Sequence, residues 1–360
     1  MRVLHIIARL NVGGTARYIT QLATELPKYG VETFIATGIV QSPEIEDSSA
    51  AKIQLLRVPA LGRAINPIKD HLASKQLQKI IAEVKPDIIH THTFKAGYVI
   101  RMKKQSVPVV HTFHGHLLDD PEFSGFKSKV IIAIEKHLAK KSVRLVTVGR
   151  TVGEELLSNF IGTKSQYVNI APGVVPLDIP DKDSAKSRLG LPDGLIVGWI
   201  ARVTGVKNPM KALEVAESLP DAHFVIAGGG DLLEQVKAAA PVNVSVIGWA
   251  DAADLFAASD IILSTSENEG MPVALIEAQM AGLPVVATDV GSVSEVIANH
   301  ETGLITNKNA GSIAAAVESL ILDTYKRNEM GTLAIARAHA LFSVDRMINA
   351  HVALYRSIVK

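Results

Sequence analysis

Short apolar runs alternate with longer segments of helical periodicity along the whole chain. This alternation predicts parallel β-sheets covered by helices, an α/β architecture. In the first half, six runs are typical of buried strands: VLHIIA, VETFIAT, IQLLRV, PDIIHTH, PVVHTF and RLVTVG. In the second half, five more are LIVGWI, HFVIAGG, VSVIGW, DIILST and PVVAT. Helices of the first half are predicted near residues 15–27, 67–83, 95–104, 128–140 and 151–160.

The length of the chain, 360 residues, exceeds what one ordinary hydrophobic core serves and predicts two domains. Prolines and glycines cluster in IAPGVVPLDIP, close to the middle of the chain. We therefore predict a first domain over residues 1–172 and a second over 173–343. Ligands are expected at the carboxyl ends of the parallel strands.

The stretch SENEGMPVALIEAQMAGLPVVATDVG carries two carboxylates beside a predicted helix. Gly270 frees the backbone ahead of the helix, Pro272 is placed as its first residue, and Gly282 ends it. Glu269 is thus predicted in the loop before the helix, and Glu277 in its second turn. Free N–H groups at a helix N-terminus suit phosphate, and carboxylates suit sugar hydroxyls. A capping glutamate followed by a solvated helix glutamate is the alternative interpretation.

A basic motif, IVGWIARVTGVKNPMKALEVA, precedes it in the same half. LIVGWI is predicted as a buried strand, with Asn208 as N-cap and Pro209 as first residue of the next helix. Arg202 and Lys207 then fall in the loop at the carboxyl end of the strand, where open α/β sheets bind ligands. A guanidinium and an ammonium group directed at one site can neutralise a diphosphate leaving group without a metal.

These motifs resemble those of family 4 (GT4) retaining glycosyltransferases, which have the two-domain GT-B fold. The resembling features are Arg202-x4-Lys207-Asn208, Ser266-x2-Glu269-Gly270, Glu269-x7-Glu277-Ala278 and the trailing Gly-x-Pro-Val-Val-Ala-Thr. In the first half, ARLNVGGTARYITQLATEL resembles the glycine loop and first helix of the family, and HTFHGH its histidine loop. The resemblance covers essentially the whole chain.

The resemblance implies two Rossmann-like, doubly wound parallel-sheet domains facing a cleft, with a terminal helix at 344–360 that crosses back onto the first domain. It implies metal-independent transfer of a sugar from a nucleotide diphosphate sugar to a hydroxyl, with retention and without a cofactor. The implied catalytic residues are His114, Arg202, Lys207 and Glu269. The implied donor-binding residues are Gly13, Gly14, Gly228, Gly230, Ile247, Trp249, Gly270, Met271, Pro272 and Glu277.

The same resemblance also indicates the class of donor and acceptor. Bacterial polysaccharide-assembly transferases, which this chain resembles, commonly use UDP-sugars, so a UDP-sugar donor and a saccharide or lipid-linked acceptor are expected. No carboxylate can be assigned beneath the anomeric carbon, so we expect same-face attack with the leaving phosphate as base. The segment LLDDPEFSGFKSK is a candidate acceptor-side lid or membrane-surface element. A helix packed in the core, with a solvated lysine edge, is the alternative.

Histidines are concentrated in IIHTHTF and HTFHGH. A zinc site is disfavoured, because no carboxylate motif such as H-E-x-x-H accompanies them. We expect several of these histidines to point into the cleft where parallel strands end. A plain core role is the stronger alternative for His90 and His111 than for His114.

The amino-acid composition excludes several kinds of chemistry and indicates a cellular location. The absence of cysteine excludes disulfides, thiol catalysis and thiolate metal ligands. No apolar run reaches the ~18 residues of a spanning helix, and the chain begins directly in a strand, which leaves no room for a signal peptide. A cytoplasmic location is therefore expected.

Charge is distributed unevenly. Residues 1–175 hold 23 Lys and Arg against 14 Asp and Glu, whereas residues 176–360 hold 14 against 22. Peripheral contact of the basic half with an anionic membrane is one explanation, and attraction between the two halves is the other. Nucleic acid is disfavoured, since basic and aromatic residues do not interleave.

Other functions remain open at this stage. A nucleotide-sugar epimerase on the same architecture needs acid–base groups but no acceptor site. A NAD-dependent oxidoreductase is suggested by parallel sheets alone, and the absence of a complete G-x-G-x-x-G motif counts against it. A noncatalytic sugar-binding protein is disfavoured by the presence of all the charged positions.

Overall fold

The computed structural model describes residues 1–42, 44–62, 64–116 and 126–359. The chain divides into two compact units, Met1–Gly173 with Val344–Lys360, and Val174–Ser343. Most of the predicted lid segment, residues 117–125, lies outside the described residues. No helix in the described ranges combines the length and apolar character that crossing a bilayer requires.

The first unit is built on a parallel sheet in which the strand order reverses beside β1. The seven strands are β1 (Arg2–Ile7), β2 (Glu32–Thr37), β3 (Leu55–Arg57), β4 (Ile88–His92), β5 (Val109–Phe113), β6 (Arg144–Thr147) and β7 (Tyr167–Asn169). Their order is β3-β2-β1-β4-β5-β6-β7. Helices of this unit are α1 (Gly14–Glu25), α2 (Pro67–Val84), α3 (Thr93–Arg101), α4 (Phe126–Ala139), α5 (Arg150–Ser158) and the terminal helix α14 (Val344–Ile358).

The second unit repeats this plan with six parallel strands. They are β8 (Ile196–Ile200), β9 (His223–Ala227), β10 (Val244–Gly248), β11 (Ile261–Ser264), β12 (Val285–Thr288) and β13 (Gly303–Thr306), in the order β10-β9-β8-β11-β12-β13. The helices are α6 (Lys182–Leu189), α7 (Pro209–Glu217), α8 (Leu233–Ala239), α9 (Ala252–Ala258), α10 (Val273–Met280), α11 (Val293–Val296), α12 (Ala310–Leu322) and α13 (Thr324–Phe342). The prediction of two doubly wound parallel α/β domains is confirmed.

The two faces of the first sheet differ in chemistry. Leu4, Ile6 and Ile89 point to one face and pack against Leu77 of α2 and Val99 of α3 in an apolar core. The opposite face carries buried imidazoles and is covered by α1 and α14. There, the hydroxyl of Tyr355 in α14 lies 2.6 Å from Nδ1 of His90 in β4. The terminal helix therefore completes a polar interior of the first unit.

A fully buried ion pair joins α3 to α4 on the apolar side of this unit. Arg101 Nη2 lies 2.8 Å from Glu135 Oε1, and neither side chain is exposed. Burial is the leading influence on both groups, and it lowers the pKa of Arg101 and raises the pKa of Glu135. Two charges removed from water in this way stabilise the fold only while both are present.

Glu135→Ala is expected to lower the free energy of unfolding by about 3–5 kcal/mol, because it leaves the Arg101 guanidinium buried without its partner. Chemical denaturation measures the effect. Glu83→Ala is the matched control, since that carboxylate is exposed and lies 3.9 Å from Lys79. Replacing both partners, Arg101→Met with Glu135→Leu, should recover much of the loss. A single variant as stable as the unaltered protein would contradict a charged pair at this position.

Candidate functional site

The loop after β8 is held in a fixed shape by the neighbouring strand end. Asn208 takes the left-handed conformation, with φ of 46°, and its side chain accepts from the Lys211 N–H as the N-cap of α7. The Thr265 hydroxyl, just beyond β11, donates to the Asn208 carbonyl over 2.8 Å. Trp199 Nε1 donates to the same hydroxyl oxygen over 3.0 Å. Lys207 is thus presented from a braced turn.

Lys207 and Glu269 form one charged cluster. The Lys207 ammonium lies 2.6 Å from Glu269 Oε1, with side chains 20% and 10% exposed. The Ser266 hydroxyl donates to the same carboxylate oxygen over 2.7 Å. Glu269 is therefore not a solvated capping residue. It holds the lysine at the carboxyl ends of β8 and β11, the location predicted for the basic loop.

The backbone around Glu269 is tightly enclosed by the loop after β12. Gly291 has φ of 51°, and a Cβ there would lie 1.7 Å from the Glu269 carbonyl oxygen. The Thr288 hydroxyl donates to the Ser266 carbonyl over 2.6 Å. Only glycine fits at position 291, because any side chain would displace the segment that carries Glu269.

Helix α10 begins one residue later than predicted. Pro272 is its N-cap, with ψ of 89°, and Val273 is the first helical residue. The prediction of Pro272 as first residue was wrong because this ψ is not helical, although its carbonyl accepts from Leu275 N–H over 3.0 Å. Glu277 lies in the second turn and is 8% exposed, which excludes the solvated alternative.

The glycine run after β9 packs against the basic loop. Gly228 has φ of 135°, and a Cβ there would lie 1.9 Å from the Ala201 carbonyl oxygen. A Cβ at Gly230 would lie 2.3 Å from the Val203 carbonyl oxygen. Both glycines therefore have a packing role on either side of Arg202. The side chain of Arg202 is exposed and forms no hydrogen bond or ion pair with the described residues.

An exposed indole stands beside this glycine run. Trp249 is 64% exposed, and Ile247, two residues earlier in β10, is half-buried. A Cβ at Gly229 would lie 2.3 Å from the indole nitrogen of Trp249. An exposed aromatic ring packed on a glycine backbone offers a flat surface on which a nucleobase can stack.

In the first unit, the glycine loop opens α1. Gly13 is the N-cap residue, with φ of 146° and no side-chain cap, and Gly14 is the first helical residue. Both are exposed. The Gly13 N–H lies 3.5 Å from the Asp47 carboxylate, a residue that the sequence did not single out. This weak bond competes with any anion for that N–H group.

His114 follows β5 and is half-buried. Its Nε2 lies 3.0 Å from Nδ1 of His92, and the Tyr18 ring stands perpendicular to it at 5.0 Å between centroids. Burial, with a smaller contribution from His351, lowers the pKa of His114 to about 3. The imidazole is therefore neutral at physiological pH and contributes hydrogen bonds rather than positive charge.

The core role, which was the stronger alternative for His90 and His111 than for His114, is confirmed for those two residues, and the expectation of a position in the cleft was wrong for His92. His90, His92 and His111 are fully buried inside the first unit, because each belongs to a central strand covered on both faces. His116 instead bonds through Nδ1 to the Glu155 carboxylate.

Sequence reasoning missed the partners of the buried histidines. The Tyr18 hydroxyl lies 3.1 Å from His351 Nε2 in α14, and His5 in β1 lies 3.0 Å from His92. A histidine in the first apolar strand was the one available signal for His5. The pairing with α14 has no local signature, since 333 positions separate Tyr18 from His351.

Three of these imidazoles form the one group in the described residues with metal-ligand spacing: His5, His90 and His92. The hydrogen bonds of these ring nitrogens make the group a poor site for a metal cation. His90 is bonded to Tyr355 and Thr112 over 2.6 and 2.7 Å, and His92 uses both ring nitrogens on other histidines. A metal would have to break these bonds in a fully buried position without a carboxylate.

Two family models match the chain. Residues 12–176 match the model for Glycosyltransferase Family 4, and residues 181–337 match the model for Glycosyl transferases group 1. Together they span both units.

Known proteins are similar to both halves. A UDP-Gal:alpha-D-GlcNAc-diphosphoundecaprenol alpha-1,3-galactosyltransferase of Escherichia coli is 28% identical, over 75% of each chain. A D-inositol 3-phosphate glycosyltransferase of Kineococcus radiotolerans is 25% identical, over 97% of this chain and 92% of the relative. The structure of sucrose-phosphate synthase from Thermosynechococcus elongatus superposes with a TM-score of 0.85 at 20% identity, over 99% and 98% of the two chains.

Proposed function

The chain belongs to glycosyltransferase family 4 and has the GT-B fold, and we propose that it moves a sugar from a UDP-sugar to a hydroxyl of a saccharide or lipid-linked acceptor with retention of anomeric configuration. The observation that carries this proposal is the cluster of Lys207, Glu269 and Ser266 at the strand ends of the second unit. Arg202 is exposed on the same loop as Lys207.

The diphosphate is assigned to the two basic side chains. Negative charge develops on this leaving group as the glycosidic bond breaks, and fixed positive charge stabilises it most at that point. Lys207 is held in place by Glu269 before any substrate arrives, so no reorganisation is needed. Because two cations supply this charge, we propose that the reaction needs neither a metal nor a cofactor.

The nucleoside and sugar are assigned to the remaining positions of the second unit. Glu277 would accept from the ribose hydroxyls, and Ile247 and Trp249 would flank the base. The N–H groups of Gly270 and Met271, beside Pro272 at the start of α10, would donate to phosphate or sugar oxygens. Gly228 and Gly230 would act by keeping the basic loop close to the donor. Glu269 would contact the sugar and steady an oxocarbenium-like transition state.

The first unit would supply His114 and the glycine loop. A neutral His114 can orient the outer hydroxyls of the donor sugar by hydrogen bonds, and Gly13 and Gly14 would approach the phosphates. No carboxylate is assigned beneath the anomeric carbon, since Glu269 is engaged by Lys207 and Ser266. Attack on the same face, with the departing phosphate as base, accounts for retention without a covalent intermediate.

The acceptor proposal draws on the relatives. The Escherichia coli relative acts on a sugar diphosphate lipid, whereas the Kineococcus relative acts on an inositol phosphate. We favour a lipid-linked saccharide because the first unit is rich in basic residues. Beside α4, six residues line a cavity of about 550 Å³, namely Met102, Lys129, Val130, Ala133, Ile134 and His137. Contact with an anionic membrane there stays a prediction.

A transfer assay tests the proposal. The purified chain is incubated with EDTA, a GlcNAc-diphospholipid acceptor and, in turn, UDP-galactose, UDP-glucose or UDP-N-acetylglucosamine. We expect stoichiometric UDP release and a product with an α-linkage, the configuration of the donor, read by NMR. An epimerised donor formed without acceptor would identify an epimerase instead. An inverted linkage would contradict same-face attack, and activity that requires added divalent metal would contradict the charge assignment.

A further inference from the structure

A line of three imidazoles runs from the interior of the first unit to His114. His5 Nδ1 lies 3.0 Å from His92 Nε2, and His92 Nδ1 lies 3.0 Å from His114 Nε2. His92 therefore uses both of its ring nitrogens on other imidazoles. At the inner end, His5 Nε2 is buried and has no partner among the described residues.

The sheet register explains why these rings meet. The three residues come from the adjacent strands β1 and β4 and from the end of β5. His92 pairs with Ile7 of β1 and with Thr112 of β5. Side chains alternate along a strand, so His5, His92 and His114 share one face. Tyr18 in α1, with His351 and Tyr355 in α14, covers this face and excludes water.

The hydrogen bonds couple the protonation of the three rings. Burial lowers the pKa of His5 and His114 to about 3 and that of His92 well below its usual value. Each ring is then neutral and carries one N–H. Each bond between two rings requires one proton, so only two arrangements of the line exist, with all N–H groups directed inward or all directed outward. A change of tautomer at His114 requires all three rings to change together.

We propose that His92 and His5 are positioning residues that fix the ring orientation of His114 and hold its tautomer against change, because all three rings must change together, and so leave Nδ1 as the nitrogen that contacts the donor sugar. This rests on the proposed role of His114 in the reaction. A hydrogen-bond partner on one ring nitrogen of a metal-bound or catalytic histidine sets the protonation of the other nitrogen, and His92 acts on His114 in the same way.

Nitrogen NMR on the full chain, labelled with ¹⁵N-histidine, tests this proposal directly. In the unaltered protein we expect one protonated and one unprotonated ring nitrogen at His114, and a scalar coupling across the bond between His92 Nδ1 and His114 Nε2. In His92→Phe the two His114 nitrogens should move toward an average of both tautomers. His90→Phe is the matched control, because His90 is equally buried in the same strand but bonds to Tyr355 and Thr112.

Steady-state kinetics distinguish a specific positioning role of His92 from a general loss of stability caused by the substitution. His92→Phe should lower kcat about tenfold or more with little change in KM for the donor, whereas His90→Phe should leave kcat nearly unchanged even where it lowers stability. His92→Gln, which retains a donor and an acceptor, should recover part of the loss. Unaltered protein that shows averaged His114 nitrogens, or lacks the coupling, overturns the proposal whether or not the variants fold. If His114 shows a single tautomer and the coupling to His92, but His114→Ala keeps full activity, the proposed role of His114 fails instead.

Discussion

Arg202→Ala should lower kcat by about 10²–10³-fold, the typical loss when one group that stabilises developing charge is removed. The melting temperature should not change, because the side chain of Arg202 is exposed and forms no hydrogen bond or ion pair with the described residues. Lys207→Ala should lower kcat by a similar factor but also lower stability, since it leaves the largely buried Glu269 carboxylate with Ser266 alone. The two variants should therefore lose similar activity but differ in stability, which distinguishes the role of Arg202 from that of Lys207.

UDP release under saturating donor measures this effect. Arg188→Ala is the matched control, an exposed arginine of the same unit that bonds to Asp254. Arg202→Lys should recover only part of the rate, because an ammonium group cannot form two parallel bonds to a phosphate. Unchanged turnover in Arg202→Ala would remove this residue from the diphosphate site.

Acidification should destabilise the first unit steeply. Burial lowers the pKa of His5 to about 3 and of His351 to about 4, against about 6.5 in the unfolded chain. Between those values the unfolded chain binds protons that the folded chain does not, so stability falls as the pH falls below 6.5. The loss is roughly 1.4 kcal/mol per pH unit for each such histidine. His90, His92 and His111 add to it in the same direction.

Denaturation curves at pH 7.5, 6.5, 5.5 and 5.0 measure this slope. The raised pKa of Glu135 changes stability with pH in the opposite direction, but Glu135 is a single group and the buried histidines are several. His5→Phe should make the slope of stability against pH shallower by the contribution of about one proton taken up on unfolding. His71→Gln, which changes an exposed side chain, should not alter the slope. Stability independent of pH over this range would mean that the histidines are not buried as neutral rings.

The architecture was readable from sequence because central parallel strands are buried on both faces and form continuous apolar runs. All eleven predicted strands occur. The two that were missed, β7 and β13, are short and lie at sheet edges, where burial imposes less of a pattern. Tyr167–Asn169 has three residues, too few to show a period.

The placement of the charged residues in the second unit was also predicted in outline. Strand and helix-cap signals placed Lys207 in the loop after a strand and Glu269 in the loop before a helix, but the ion pair between them depends on the left-handed turn at Asn208 and the close approach of Gly291. The histidines of the first unit were harder to interpret. IIHTHTF reads equally as a site or as a core strand, and the deciding partners, Tyr18, His351 and Tyr355, come from distant segments. Spacing alone cannot reveal such contacts.

The most direct test of nucleotide-sugar chemistry in this chain is a thermal-denaturation screen in EDTA with UDP, GDP, ADP, their common sugar conjugates and NAD. A ligand at about 100 times its dissociation constant adds roughly 2.7 kcal/mol of stability, which is readily measured. We expect a selective increase with UDP and UDP-sugars that is strongly reduced in Arg202→Ala and preserved in Arg188→Ala. Stabilisation by NAD alone, or by no nucleotide, would contradict the assignment of Arg202, Lys207 and Glu269 to a sugar diphosphate.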